Sequence, residues 1–270
     1  MKLKKIAHLS EIYKLYDTFI IDLWGVMHNG EALYDDAEIA VKNLIDNNKR
    51  VVFLSNAPRP NTDVLKFLKS LNMNEKYLKN IMTSGEAAIN SLKTDKFGKS
   101  FFHVGPERDS SIYNGFENKK TTIEKCDYIL CTGLFDEHET ELGYYKELFK
   151  KYINKKLICT NPDLTVHRGN IEEICAGTIA KVFSEIGGNV IYFGKPYKEI
   201  YQLILKNNEK TLVIGDNLNT DIKGANNLKL DSLFVTSGVH RSEFKNDIDL
   251  ENLLTSYKVK ANYFQKNICW

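Results

Sequence analysis

The sequence lacks a long apolar run, a strong excess of either charge, and cysteines spaced for a metal. No segment of its 270 residues approaches the ~20 apolar residues of a membrane-spanning helix. The basic start, residues 1–10, has no apolar stretch behind it, unlike a secretory signal. Lys and Arg number 37 against 35 Asp and Glu, which gives no reason to expect a nucleic-acid or membrane partner. We therefore expect a cytoplasmic protein.

The cysteines are odd in number and match no zinc signature, so reduced thiols are expected; they are Cys126, Cys131, Cys159, Cys175 and Cys269. The chain also has no repeat, low-complexity tract or long flexible linker. Its 43% hydrophobic and 27% charged residues are ordinary for a globular protein. The length allows one large domain or a core with a sizeable second domain.

Short β-branched runs alternate with amphipathic stretches, a pattern typical of an α/β fold. Strands are predicted over residues 18–23, 50–55 and 211–216, among others. Hydrophobic residues at helical spacing predict a helix over 36–47. Further helices are predicted over 10–16, 141–152, 173–186, 197–206 and 218–227.

Two of the apolar strands end in aspartates, Asp22 and Asp216. In an open parallel sheet, ligands bind beyond the carboxyl ends of the strands. If the two strands are neighbours, the two carboxylates meet and repel each other unless a cation lies between them, and ligand sets made only of oxygen suit Mg²⁺. For either aspartate alone, the simpler interpretation is a turn or cap residue.

Four segments, taken together and in order, resemble the four motifs of the haloacid dehalogenase (HAD) superfamily. They are Phe19-Ile-Ile-Asp22-Leu-Trp-Gly-Val26, Phe53-Leu-Ser55-Asn56, Gly194-Lys195-Pro196 and Gly215-Asp216-Asn-Leu-Asn-Thr-Asp221-Ile222. Each motif alone is weak, but the ordered set spans nearly the whole chain. The long insert between the second and third motifs resembles the cap of the class IIA (NagD-like) branch, as do the segments Thr160-Asn-Pro-Asp163 and Ala176-Gly-Thr-Ile-Ala180 within it.

The resemblance implies an α/β protein with a Rossmann-like HAD core, in which helices flank a parallel sheet, and an inserted α/β cap domain of the class IIA type. The core would be discontinuous, residues 1–82 and 192–270, and the cap would span residues 83–191. It also implies Mg²⁺ as cofactor and a small phosphorylated metabolite as substrate. The resemblance allows, in addition, a homodimer formed through the cap.

The resemblance also assigns catalytic roles. Asp22 would be the nucleophile that forms an aspartyl-phosphate. Ser55 and the backbone amide of Asn56 would hold phosphoryl oxygens, and Lys195 would supply a fixed positive charge. Arg59, close behind the second motif, would contact the substrate or lie at the surface.

The metal ligands implied by the resemblance are Asp22, Asp216, Asp221 and the backbone carbonyl of Trp24. Because a carbonyl ligand does not depend on the side chain, the metal site tolerates tryptophan at this position. The Trp24 ring itself is either a stacking surface for a planar substrate or a packed wall beneath the loop.

Trp24 departs from the superfamily pattern, which has a second aspartate there as general acid and base, and instead resembles a class IIA subgroup with an Asp-x-Trp-Gly first motif. An indole nitrogen donates a hydrogen bond but does not titrate near neutrality, so it cannot move a proton. We therefore expect slow turnover that favours good leaving groups, or accumulation of the phosphoenzyme. His28, six residues after Asp22, is the nearest replacement acid; the alternative is a loop histidine that points to solvent.

Two other functions remain open from the sequence. A phosphate-binding or regulatory protein would retain the metal site without efficient turnover, and Trp24 favours it. A dehalogenase also begins with an aspartate nucleophile and expels a halide that needs no proton, but it needs no metal, whereas Asp216 and Asp221 indicate one.

Overall fold

The structure, a computed structural model, describes residues 3–270. The strands in chain order are β1 (Lys4–Lys5), β2 (Thr18–Ile21), β3 (Arg50–Ser55), β4 (Ile81–Thr83), β5 (Phe101–Val104), β6 (Tyr128–Cys131), β7 (Lys156–Cys159), β8 (Thr165–Arg168), β9 (Ile171–Ile174), β10 (Asn189–Tyr192), β11 (Thr211–Gly215), β12 (Asp231–Val235) and β13 (Tyr263–Gln265). The α-helices are α1 (Asp35–Asp46), α2 (Asn61–Ser70), α3 (Ser84–Lys93), α4 (Leu142–Phe149), α5 (Ala176–Glu185), α6 (Lys198–Gln202), α7 (Lys223–Asn227) and α8 (Asp247–Ser256).

A parallel seven-stranded sheet forms the core, in the order β1-β13-β12-β11-β2-β3-β4. Its central strands are apolar on both sides because both faces are covered by helices. Phe19, Ile21 and Phe53 pack with residues of α1 and α2 on one face. Ile20 and Val52 point to the other face, where they meet residues of α6 and α7. The predicted parallel sheet flanked by helices is confirmed.

A second parallel sheet, in the order β10-β7-β6-β5, lies in the inserted part of the chain. Residues of α4 and α5 pack against Ile129 and Cys131 on one of its faces. Residues of α3 pack against Leu130 and Ile158 on the other. An antiparallel pair, β8 and β9, forms a separate two-stranded hairpin. We call the second sheet, its helices and this hairpin the cap.

The chain passes from the core sheet into the cap, and later back again, close to the predicted domain boundaries at 82/83 and 191/192. Thr83 is the last residue of β4 and belongs to the core sheet, whereas Tyr192 is the last residue of β10 and belongs to the cap sheet. The division into two domains stays a prediction, and each sheet extends one residue across it.

Several predicted helices were wrong in extent or type. Residues 10–16 form two short 3₁₀ turns instead of one helix. The helix predicted over 173–186 begins only at Ala176, because the residues before it form β9 and close the hairpin. The segment 218–227 starts as a π-helical turn, Leu218–Ile222, and continues as α7. The helix predicted over 197–206 is only the five residues of α6.

His103 on β5 makes the stability of the cap depend on pH. Its Nε2 lies 2.8 Å from the Thr132 hydroxyl, and burial, with a smaller effect of Lys120, lowers its pKa from 6.5 to about 4. Between these values the unfolded chain binds the proton and the folded chain does not, so stability falls as the pH drops from 6.5 towards 4. The full loss is about 3 kcal/mol.

Substituting His103→Gln, which keeps a polar group near Thr132, should flatten this dependence. The measurement is the urea-derived free energy of unfolding between pH 4.5 and pH 7.5, compared with the wild type. Parallel pH profiles for the two proteins would show that His103 is not the titrating group.

Candidate active site

Asp22 and Asp216 meet at the carboxyl edge of the core sheet, as the sequence predicts. β2 and β11 are adjacent parallel strands, with Ile21 opposite Ile214, so the residues that follow them emerge side by side. Asp221 joins them from the π-helical turn after β11. Oxygen atoms of the three carboxylates all lie within 4.8 Å of one another, and all three residues are buried.

Lys195 places an ammonium group against this cluster. Its side chain is 3% exposed, with Nζ 2.5 Å from Asp22 Oδ1 and 2.8 Å from Asp221 Oδ1. The Asn56 side chain fixes the main chain at this point. Asn56 Oδ1 accepts from the Lys195 N–H at 2.8 Å, and Asn56 Nδ2 donates to the Lys195 carbonyl at 3.2 Å. The first, second and third motifs therefore converge on one pocket.

The turn after β2 brings the backbone against Asp216. Gly25 has φ +81°, and a side chain there would collide with the Asp216 carboxylate. A side chain at Gly238 would collide with the same carboxylate. The neighbouring Val239 N–H donates to Asp216 Oδ2 at 2.8 Å. Asp216 is thus fixed by packing and by a hydrogen bond before any ligand arrives.

The pocket holds more negative than positive charge. Burial, followed by the Asp221 charge, raises the pKa of Asp216 to about 7. Burial also raises the pKa of Asp22, against the opposing effect of Lys195. Burial disfavours the charge on Lys195, but Asp22 and Asp221 outweigh it and hold its pKa above the usual range. When all three carboxylates are ionised, one ammonium does not balance them, and a divalent cation would supply the missing positive charge.

The donor set fits Mg²⁺. The three converging side chains offer only carboxylate oxygens, which are the ligands that Mg²⁺ takes in proteins. They come from elements held rigidly in the core: the ends of two central strands and a short helical turn.

Ser55 and Arg59 also line the cleft. Ser55 is 7% exposed at the end of β3, and its hydroxyl accepts from the Ala57 N–H at 3.2 Å. Arg59 is not a free surface residue. Its Nε lies 3.2 Å from Oδ1 of the buried cap residue Asp109. This ion pair joins core and cap, a partnership that the sequence did not indicate.

Trp24 lies in the cleft wall and contacts the cap. Its Nε1–H donates to the His167 carbonyl of β8 at 2.8 Å. The ring is parallel to Phe67, with centroids 6.5 Å apart, and meets His28 edge-on at 5.1 Å. These contacts favour the packed-wall interpretation of the ring over a substrate-stacking one.

His28 is not placed as either interpretation expects. It is 2% exposed rather than solvent-facing, and its Nδ1 accepts from the Gly30 N–H at 3.0 Å. Burial, followed by the nearby Arg168 charge, lowers its pKa to about 4. A neutral, packed imidazole outside the cleft lining cannot replace the missing acid.

Sequence reasoning gave no role to Asn217 or His240 and left Asp163 open. Asp163 reaches from the cap to the core, where its Oδ1 accepts from Asn56 Nδ2 at 3.2 Å and from Asn217 Nδ2 at 3.3 Å. His240 Nε2 accepts from the Leu218 N–H at 3.1 Å and so supports the turn that carries Asp221. The only sequence signal was that Asn217 and Asp163 lie inside recognisable motifs.

Core and cap together form a cleft of about 400 Å³, and Asp22 and Asp216 of the carboxylate cluster line it. Cap residues on its wall include Asp109, Asp163 and the hairpin residues 165–169 and 171–174. No helix within residues 3–270 is long and apolar enough to span a membrane.

Comparison with known proteins gives a consistent family. The family model described as haloacid dehalogenase-like hydrolase matches residues 19–117, and the model described as HAD-hydrolase-like matches residues 192–255. The chain belongs to the HAD-like hydrolases. The predicted superfamily and its class IIA (NagD-like) branch are thereby confirmed.

Individual relatives of this HAD chain align over most of its length. The 5′-nucleotidase YutF of Bacillus subtilis is 26% identical over 88% of this chain and 93% of its own. The acid sugar phosphatase of Staphylococcus haemolyticus is 28% identical over 84% and 87%. A crystal structure of a haloacid dehalogenase-like hydrolase from Brucella suis superposes with a TM-score of 0.86 at 27% identity, covering 97% of this chain and 99% of that one.

Proposed function

We propose that this HAD chain is a Mg²⁺-dependent phosphomonoester phosphatase that acts through an aspartyl-phosphate on Asp22. The observation that carries the proposal is the buried pocket in which Asp22 lies between Lys195 and the carboxylates of Asp216 and Asp221. The relatives that align over most of the chain are named as phosphatases or nucleotidases, which supports phosphate-ester chemistry.

In the first step a carboxylate oxygen of Asp22 attacks phosphorus, and the bond from phosphorus to the leaving-group oxygen breaks. In the second step water attacks the same phosphorus and the bond from phosphorus to the Asp22 oxygen breaks. The water protons leave with the inorganic phosphate, and the carboxylate is restored. Lys195, Ser55 and the Asn56 amide would hold the phosphoryl oxygens through both steps. Arg59 would reach the rest of the substrate only by leaving Asp109.

Asp22, Asp216, Asp221 and the Trp24 carbonyl would hold the cation. When bound, Mg²⁺ would neutralise the repulsion between the Asp22 carboxylate and an anionic phosphate ester. Lys195 already bridges two of the carboxylates. Its ammonium keeps the Asp22 oxygen oriented while the ester binds.

The leaving group receives no proton from residue 24, since an indole N–H does not titrate near neutrality, and that of Trp24 already donates to the His167 carbonyl. This supports slow turnover for esters whose leaving oxygen needs a proton. The cleft of about 400 Å³ suits a small phosphorylated metabolite. A homodimer through the cap stays a prediction that sedimentation of the purified protein would test.

The proposal predicts a metal requirement that can be separated from folding. With an aryl phosphate as substrate, phosphate release should fall to background in EDTA and return with added Mg²⁺. Asp216→Asn should shift the Mg²⁺ concentration for half-activity upward by about 10-fold or more, because a buried charged ligand is lost. Asp46→Asn, at an exposed ion pair with Lys42, is the matched control and should leave it unchanged. Full activity in EDTA would contradict the metal site.

A second candidate is a phosphate-binding or regulatory protein with the same pocket. Trp24 favours it, because the residue in the acid's place is engaged with the cap. Under this alternative, inorganic phosphate and Mg²⁺ bind and raise the melting temperature, while no ester is hydrolysed beyond background.

A further inference from the structure

The β8–β9 hairpin has little support of its own. It pairs only four residues on each strand, from Thr165 to Ile174, and joins neither of the larger sheets. All residues of β8 are partly exposed, and Ile171 and its neighbour on β9 are exposed. An isolated two-stranded hairpin is marginally stable in water at best. The base of the hairpin is held within the cap, where the Cys175 N–H donates to the Leu164 carbonyl at 2.8 Å. The position of its tip over the cleft therefore depends on contacts with the core.

The core side of these contacts is the loop that follows the nucleophile strand. The Trp24 Nε1–H donates to the His167 carbonyl at 2.8 Å. The Arg168 guanidinium lies over the Trp24 ring, 5.2 Å from its centre. An aromatic face attracts a guanidinium, so the ring provides two different attachments for adjacent hairpin residues.

Two hydrogen bonds to main-chain carbonyls of the core loop extend the same interface toward the hairpin tip. The Gly169 N–H donates to the Asn29 carbonyl at 3.0 Å. Arg168 Nη1 donates to the Gly30 carbonyl at 3.4 Å, while its Nε pairs with Glu173 across the hairpin at 2.7 Å. Gly30 has φ +88°, and a side chain there would collide with the Trp24 ring. The loop is therefore shaped around the tryptophan.

We infer that Trp24 is a positioning residue that fastens the β8–β9 hairpin over the cleft and thereby limits the size of the group attached to phosphorus. At position 24 the usual motif has a residue that donates a proton, whereas this chain has a residue that holds the hairpin. The part of the inference that concerns the hairpin does not depend on turnover. The part that concerns substrate size rests on the proposed function.

Trp24→Phe tests the attachment, because it removes the N–H donor and keeps an aromatic ring against Phe67. Hydrogen exchange of the β8–β9 amides, measured on the full chain by mass spectrometry, should become about fivefold faster, the effect of one net hydrogen bond. Trp270→Phe makes the same chemical change at the other tryptophan, which packs on Tyr13 away from the hairpin. It should leave hairpin exchange as in the wild type.

A spectroscopic readout is available because the chain has only two tryptophans. In the Trp270→Phe protein, Trp24 is the remaining indole. In that background, Arg168→Ala should increase the quenching of Trp24 fluorescence by acrylamide and shift the Trp24 emission to longer wavelength, because the guanidinium no longer covers the ring. Should Trp24→Phe fail to fold, Arg168→Ala is compared with Glu173→Ala, which removes the same ion pair across the hairpin. Faster hairpin exchange in Arg168→Ala than in Glu173→Ala supports the inference, and equal exchange in the two overturns it.

The size limit is tested with phenyl and naphthyl phosphates, whose leaving groups have similar acidity. Trp24→Phe should raise kcat/KM for the naphthyl ester relative to the phenyl ester by about fivefold. Unchanged hairpin exchange in a folded Trp24→Phe protein would overturn the fastening role. Faster exchange with an unchanged substrate ratio would overturn the size limit alone. Absence of turnover in the wild type would count against the proposed function and leave the exchange result to stand.

Discussion

Substituting Asp22→Asn should reduce phosphate release by about four orders of magnitude or more, because a neutral amide cannot form the acyl-phosphate. The fold should survive, since asparagine has the same shape and Lys195 keeps its contact with Asp221 at 2.8 Å. Steady-state release of phosphate from an aryl ester measures the loss. Mass spectrometry of the quenched wild-type enzyme, mixed with substrate, should show one phosphoryl group on Asp22.

The same variant separates catalysis from binding. Inorganic phosphate with Mg²⁺ should still raise the melting temperature of the Asp22→Asn protein, because Lys195 and Asp216 remain. Asp46→Asn again serves as the surface control. If the Asp22→Asn enzyme kept a tenth of the wild-type activity, Asp22 could not be the nucleophile. A wild type that binds phosphate but never turns over would favour the regulatory alternative.

The second large effect is the dependence of rate on the leaving group. In the wild type, kcat/KM should fall steeply as the leaving-group pKa rises, with aryl and acyl phosphates exceeding alkyl phosphates by about 10²–10⁴-fold, the usual contribution of a general acid. An alkoxide leaves poorly without a proton, and neither Trp24 nor the packed His28 can supply one. Rates across a series of esters with graded leaving-group pKa measure the slope.

Two substitutions at the same position give this prediction its control. Trp24→Asp supplies a carboxyl group and should flatten the slope, raising the rate for alkyl esters most. Trp24→Phe also removes the indole hydrogen bond but supplies no acid, so the slope should remain steep. A flat dependence in the wild type would reveal a proton donor that the structure does not identify.

The pocket was predictable because its geometry follows from chain topology. Asp22 and Asp216 end apolar strands, and parallel strands present their carboxyl ends at one edge. Lys195 and Asp221 followed from the ordered motifs rather than from any local property of their segments. The structure places oxygen atoms of the three carboxylates within 4.8 Å of one another and Lys195 in contact with two of the carboxylates.

The contacts between core and cap were not predictable from sequence. Arg59 meets Asp109 and Trp24 meets His167, pairs that are far apart in the chain and have no local signature. The β9 strand was missed for a related reason. Its four residues, Ile171–Ile174, have their two isoleucines at helical spacing and lack the alternation typical of a strand, and only the pairing with β8 shows that they form one. His28 was misplaced because burial of a loop residue depends on the neighbours that fold over it.

The indole of Trp24 binds a main-chain carbonyl, and every amino acid provides that same group. Residue 167 can therefore change its side chain without breaking the hydrogen bond. His167 and the neighbouring residues Arg168 and Gly169 line the cleft, so their side chains shape its wall independently of this hydrogen bond. If the hairpin is fastened in this way, substitutions along it alter the cleft wall without removing the hydrogen bond, whereas a change at residue 24 removes the donor.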